Sequence, residues 1–251
     1  MNRTYLLLFL AWTVWAQQDP LPTLGPAPQA RTQQEFDDWL DLLDNSAPES
    51  KVQRAAQFVA RYPRSEFAAR VYQAQMLAYQ QMDNYEGTVS AGKSALGLDP
   101  DNLHVLVTLA NVIPNSGGGR RPDRAQLDEA TNYARQALDR LTVQKIPRNL
   151  ALEEWQGIRL RIEVSARAAL GLISLLRGQA LEAIRELEWV TGHDPAGDGV
   201  QFLRLGSAYA SARNYCAAGR AFARAAILGP EPVRVRAVEA RKHIAAKASG
   251  C

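Results

Sequence analysis

The sequence predicts an all-α chain in which antiparallel helix pairs stack side by side as a solenoid. Three observations predict it. One pattern is written twice, 35 residues apart: Leu170-Gly171-x2-Ser174-x8-Ala183-x3-Leu187-x2-Val190-x4-Pro195 returns as Leu205-Gly206-x2-Tyr209-x8-Ala218-x3-Phe222-x2-Ala225-x4-Pro230. Apolar residues recur at helical spacing along most of the chain. Capping-box signatures open several of those runs, at Thr32-x-x-Glu35, Ser46-x-x-Glu49 and Asp123-x-x-Gln126. Self-similarity at this period marks units that cannot bury an apolar face alone and must stack to do so.

The elements follow in order. In residues 1–16, Arg3 precedes an apolar run from Tyr5 to Trp15, and Val14-Trp15-Ala16 forms a small-x-small-like cleavage site. That pattern predicts a cleaved secretory signal. The run falls short of the about 20 residues that cross a bilayer, and no cysteine follows it to carry a lipid. The expectation is an exported protein, periplasmic or secreted, with no membrane span after cleavage. Residues 17–31 hold four of the thirteen prolines and read as a flexible tether.

Residues 32–64 read as a helical hairpin. Its first helix places Phe36, Trp39, Leu40 and Leu43 on one stripe, and its second turns Val52, Ala55, Ala56 and Val59 inward before Pro63. Residues 65–230 carry the repeats. In the first, Tyr72, Tyr79, Tyr85, Ala95 and Pro100 stand at the offsets of Phe202, Tyr209, Tyr215, Ala225 and Pro230. Thr88 and Gly92 take the places of Ala218 and Phe222, which predicts a thinner helix contact. The next unit is interrupted near 114–122, where Pro114 and Asn115-Ser116-Gly117-Gly118-Gly119 separate Leu103, Leu106, Leu109 and Ala110 from Leu127, Ala130, Ala134 and Ala137. A second irregular link, near 142–150, contains Pro147. From about Asn149 to Arg177 one extended helix is expected, with Trp155, Ile158, Ile162, Ala169, Ile173 and Leu176 at helical spacing. In the last two units Gly171 facing Ala183, and Gly206 facing Ala218, let the helices approach, while Leu187 and Phe222 fill the wedge between them. Residues 231–251 form a basic capping helix and tail.

These positions resemble the tetratricopeptide repeat (TPR) over about residues 65–230. The resemblance implies a right-handed superhelix, a protein-interaction scaffold, and a concave groove lined by the first helix of each pair. By position it puts Arg70, Gln73, Leu77, Gln80, His104, Val107, Thr108 and Asn111 on the inner wall, with Ala168, Leu172, Leu175, Val200, Leu203, Arg204 and Ser207 from the later units. Several family members hold a peptide's terminal carboxylate with a lysine and asparagine clamp. Asn111 falls at one clamp position, but Val107 and Gln73 stand where the lysine is needed, so no full clamp is implied. Tyr62-Pro63-Arg64-Ser65-Glu66-Phe67-Ala68 is similar to the start of repeats in bacterial envelope proteins that assist outer-membrane assembly. Those proteins commonly carry a lipidated cysteine, which this chain lacks.

Charge is unevenly spread. Residues 17–63 hold four basic and seven acidic groups, net −3, and residues 200–251 hold nine and two, net +7. A solvated helical surface accounts for the basic end without nucleic acid. Cys216 and Cys251 are the only cysteines. Export permits a disulfide between them, but they lack CxxC or metal-ligand spacing, and free or adventitiously oxidised thiols are the expectation.

No catalytic constellation is legible. His104, His193 and His243 have no second ligand at metal spacing, and no metal or cofactor is expected. His193 reads as a turn residue before Asp194-Pro195. Gly117-Gly118-Gly119-Arg120-Arg121 lacks the lysine and the strand of a phosphate-binding loop. Glu153 and Glu154 point about 100° apart on a helix and suit its first turn. The favoured reading is a non-catalytic envelope adaptor with a partner protein or peptide in the groove. The alternatives are a structural or oligomerising subunit, contacting through the stack's ends or basic face, and an accessory domain of an envelope enzyme.

Overall fold

The computed structural model describes residues 28–115, 121–146, 150–194 and 197–247. The expected signal, most of the tether, the glycine run and Pro147 lie outside these residues. Among the described residues there are eleven α-helices, two short 3₁₀ turns and no strand.

Helix α1 (Gln33–Asp44) opens as its sequence predicts. Thr32 Oγ1 accepts the Glu35 N–H at 3.1 Å, and the Glu35 carboxylate turns back to accept the Arg31 N–H at 2.7 Å. Its buried face is Glu35, Trp39 and Leu42; the expected stripe shares only Trp39 with it, and Phe36, Leu40 and Leu43 are exposed. Among the described residues α1 packs on α2 and the start of the next pair, around Trp39, Phe58 and Phe67, so only a narrow arc of it is covered. In α2 (Pro48–Arg61) the second predicted capping box does not form. Ala47 is the cap position, Pro48 begins the helix, and Asn45 Oδ1 takes the Ala47 N–H at 3.0 Å. Phe58 rather than the exposed Ala56 joins Ala55 in the core, where Trp39 and Phe67 pack with ring centroids 5.1 Å apart.

Three helix pairs share one geometry: α3 (Ala68–Gln81) with α4 (Tyr85–Leu98), α7 (Leu152–Leu176) with α8 (Ala180–His193), and α9 (Gly199–Ser211) with α10 (Tyr215–Leu228). Each first helix ends in the same turn, with a left-handed residue at equivalent positions: Asp83 at φ 52°, Gly178 at 76° and Arg213 at 62°. The amides that follow close the same two bonds, Asp83 to Gln80 and Asn84 to Tyr79 in the first pair, Arg213 to Ala210 and Asn214 to Tyr209 in the last. This is the helix-ending motif that satisfies otherwise orphaned carbonyls. Asn84 and Asn214 then cap the second helices through Oδ1.

The glycines do their work directly against the large residues. A Cβ on Gly171 would lie 2.6 Å from Leu187, and one on Gly206 would lie 2.5 Å from Phe222. Ala183 and Ala218, expected opposite those glycines, are fully buried one turn earlier. The first repeat keeps the fit with the partners exchanged. Met76 occupies the place of Gly206 and Gly92 that of Phe222, and a Cβ on Gly92 would lie 2.8 Å from Leu109 of the next unit and 3.1 Å from the Met76 sulfur. The contact is therefore reversed, not thinner as its sequence suggested. Each such large side chain contributes roughly 1.5–3 kcal/mol by leaving water.

The interrupted unit consists of α5 (Leu103–Val112), a 3₁₀ turn (Ile113–Asn115) and α6 (Arg124–Val143). The Asp123–Gln126 capping box forms in full. The 25 residues of α7 serve two neighbours. Its first half sets Trp155, Ile158 and Ile162 against Ala134, Ala137 and Leu141 of α6, and its second half pairs with α8. Apolar clusters follow one another from α1 to α11 (Glu231–Ile244), whose Val233, Ala237 and Ile244 close the stack over Phe222.

Two further expectations are corrected. Cys216, exposed in the first turn of α10, is disulfide-bonded and not a free thiol; Cys251 lies outside the described residues. His193 is the last residue of α8, not a turn residue, because its ring stacks on Trp189 at 4.1 Å and its Nδ1 pairs with the Trp189 carbonyl.

Candidate functional site: the face of the first helices

Helices α3, α5, α7 and α9 are the first members of their pairs. The α5 helix packs on α7, and α7 on α9, so these three form one continuous face, to which a hydrogen bond from the start of α5 ties α3. Of the fifteen residues expected to line it, Arg70, Leu77, Gln80, His104, Leu175 and Ser207 are partly exposed. Gln73, Val107, Thr108, Asn111, Ala168, Leu172, Val200, Leu203 and Arg204 are buried. Leu172 is therefore a core residue, while Leu175 stays partly exposed.

A polar seam crosses the same face, and it includes residues that sequence reasoning passed over. Asn102, which caps α5, donates its amide to Gln73 Oε1 at 2.8 Å, tying α5 to α3. Asn111 donates to the Val107 carbonyl at 2.8 Å and to the Ser165 carbonyl and hydroxyl at 3.1 and 3.0 Å, tying α5 to α7. Its amide is engaged within the protein, as a buried polar group requires. Arg204 of α9 reaches Asn115 Oδ1 at 3.5 Å and Gln201 Oε1 at 3.4 Å. Asn102 followed two residues after Pro100 as a helix-start signal; Ser165, Asn115 and Gln201 carried no signal in the sequence.

Arg204 is the electrostatic exception in the seam. It is buried, its Nε has no hydrogen-bond partner among the described residues, and both contacts above are long and to neutral amides. Burial holds its pKa down to about 10, with the Asp198 charge working in the opposite direction. A buried cation without a paired carboxylate is costly. His104 is a second unsatisfied group. Its Nδ1 is sealed without a partner among the described residues, and burial pushes the imidazole down to about 4, so the ring is neutral near pH 7. Burial also lowers the pKa of Arg70 in α3, against the nearby Asp99 charge.

These groups can position and neutralise a ligand; no nucleophile stands beside a base among them. Among the described residues no three His, Cys, Asp or Glu side chains stand together as a metal cage, and no helix is long and apolar enough to cross a membrane. A surface depression of about 480 Å³ opens elsewhere, between the start of α6 and the end of α7. Its arginines have structural partners: Arg121 donates to the Leu176 carbonyl at 2.8 Å, capping α7, and Arg177 pairs with Asp128.

No family model matches this sequence, and no curated protein matches it. Among solved structures the chain is similar to the assembly chaperone of RpL4, Acl4 (residues 1–338), with a TM-score of 0.58 and 14% identity, over 87% of this chain and 88% of that one. That likeness is one of fold. With the helix pairs described above, it makes the chain an all-α, TPR-like helical solenoid.

Proposed function

We propose that this protein is a non-catalytic scaffold that holds a partner polypeptide against the face of its first helices. The observation that carries the reading is Arg204: a buried guanidinium whose hydrogen-bond partners among the described residues are two neutral amides, with the Asp198 charge acting on it without a hydrogen bond, is completed by a carboxylate brought from outside. The partly exposed Arg70, Leu77, Gln80 and Ser207 give such a segment a mixed polar and apolar track beside it. Acl4, similar in fold, is by its name an assembly chaperone of RpL4, which is the same class of activity.

The partner surface is tested by affinity capture with Arg70→Ala and Leu77→Ser, both partly exposed on α3. The expected result is at least a tenfold loss of captured partner with unchanged helicity and melting. Full capture by both variants overturns the reading.

In the same reading the scaffold works after export, in the cell envelope. Support comes from Arg3 and the Tyr5–Trp15 run. Protein recovered from the envelope fraction should begin at Gln17; cytosolic protein that retains Met1 overturns this part.

A further inference from the structure

Among the described residues the first and last helices of the stack are opposite in charge, and both expose apolar side chains. Helix α1 carries five carboxylates (Glu35, Asp37, Asp38, Asp41 and Asp44) and no basic residue. On one side of it Phe36, Leu40 and Leu43 stand at i, i+4 and i+7, with 40%, 40% and 46% of their surface exposed. Helix α11 carries four basic residues against two acidic ones, and Val235 and Val238 on its outer side are 51% and 44% exposed. Arg241 and Lys242 follow in its exposed last turn. End helices of a solenoid ordinarily present a polar outer face. These two do not.

We propose that the chain associates head to tail, with α1 of one copy seated on α11 of the next. Charge selects this pairing over the symmetric ones. Two α1 helices would bring carboxylates against carboxylates, and two α11 helices would bring cations against cations; only the mixed pairing sets unlike charges together. The apolar strips then leave water in the centre, with ion pairs at the rim. The contact joins two different surfaces, so nothing in it limits the assembly to two copies, and the products are rods or rings. Because the rim is electrostatic and solvent-exposed, association weakens as salt rises. This inference does not depend on the inner-wall reading, since it uses only the two end helices.

The test uses two charge-reversed full-length chains. One carries Asp37→Lys and Asp44→Lys in α1, sparing Asp38 and Asp41, which pair with Arg61 and Arg54. The other carries Arg241→Glu and Lys242→Glu in α11. Sedimentation velocity follows mass against concentration at low salt and at about 0.5 M salt. The wild type should grow beyond the dimer as concentration rises and return toward the monomer in high salt. Each variant alone should stay monomeric at concentrations where the wild type is associated. An equimolar mixture should associate again, because each reversed end then meets its complement in the other chain. Three results overturn the proposal: a wild type that stays monomeric at submillimolar concentration, a mixture that stays monomeric, or single variants that associate as the wild type does. The last of these would mean that another surface makes the contact.

Discussion

Replacing Arg204 by methionine should make this protein more stable while abolishing its proposed partner binding. The guanidinium is fully buried, and its pKa is depressed from the ordinary arginine value to about 10. A depression of that size corresponds to about 3 kcal/mol lost by carrying the charge into the folded state. The sign follows from the direction. The folded protein binds this proton more weakly than the unfolded chain, so the cost is in full force at pH 7 and is relieved only as pH rises through about 10. The hydrogen bonds given up are those at 3.4 and 3.5 Å, which together return at most about 1 kcal/mol. Methionine keeps the length of the side chain and adapts to the site. The net expectation at pH 7 is a gain of about 2 kcal/mol, or roughly 4–8 °C in Tm for a chain of this size. Thermal melts followed by circular dichroism read the stability, and affinity capture reads the partner. A methionine variant that melts below the wild type would show that the charge is already compensated within the fold. The argument for an external carboxylate would then fail.

Three other perturbations have definite signs. His104 is neutral in the folded state because burial lowers its pKa to about 4, so stability should be complete above about pH 6.5 and fall toward pH 4 by up to about 3 kcal/mol. His104→Leu should flatten the upper part of that decline in acid denaturation curves, since Glu35 and Asp38, whose pKa values are lowered, lose their contribution only at lower pH. A decline unchanged in the variant would contradict the assignment. Gly206→Ala places a methyl 2.5 Å from the Phe222 ring and should cost about 1–3 kcal/mol of unfolding free energy; Phe222→Leu in the same chain should recover part of it. Arg213→Gly removes a non-glycine residue from φ 62° and should gain about 0.5–1 kcal/mol, with Gly178→Ala losing a similar amount in the equivalent turn.

The repeated pairs were legible because their determinants are local and periodic. A glycine and a large apolar residue at fixed offsets and the Asp123–Gln126 box all act within one helix pair. The long α7 was legible for the same reason, since Trp155, Ile158 and Ile162 already mark a second buried stripe ahead of the pair with α8. The Met76–Gly92 exchange was missed because a pattern that fixes residue type at each position does not register that two positions can trade roles across a contact. The exposed Phe36, Leu40 and Leu43 were misplaced because hydrophobicity marks a face without telling which side has a neighbour. The seam was invisible for a different reason. Its links run between residues 29, 54 and 89 positions apart, Asn102 with Gln73, Ser165 with Asn111, and Arg204 with Asn115. Separation on that scale is set by how the pairs stack, and no single repeat contains both partners. Six of the fifteen expected wall residues are partly exposed and nine are buried; Val200 and Leu203 are used by the core that α9 shares with α10 and α11, Ala168 by the contact with α8, and Gln73 and Asn111 by hydrogen bonds to neighbouring units.

Site-specific photo-crosslinking in the native cell tests the partner face most directly. A benzophenone side chain is placed at Leu77, on the face of the first helices, and in a second strain at Leu181, which is 73% exposed on the second helix α8. Binding on the first-helix face predicts a discrete higher-mass adduct from position 77 and none from position 181. An adduct from position 181 alone, or equal adducts from both, would contradict it.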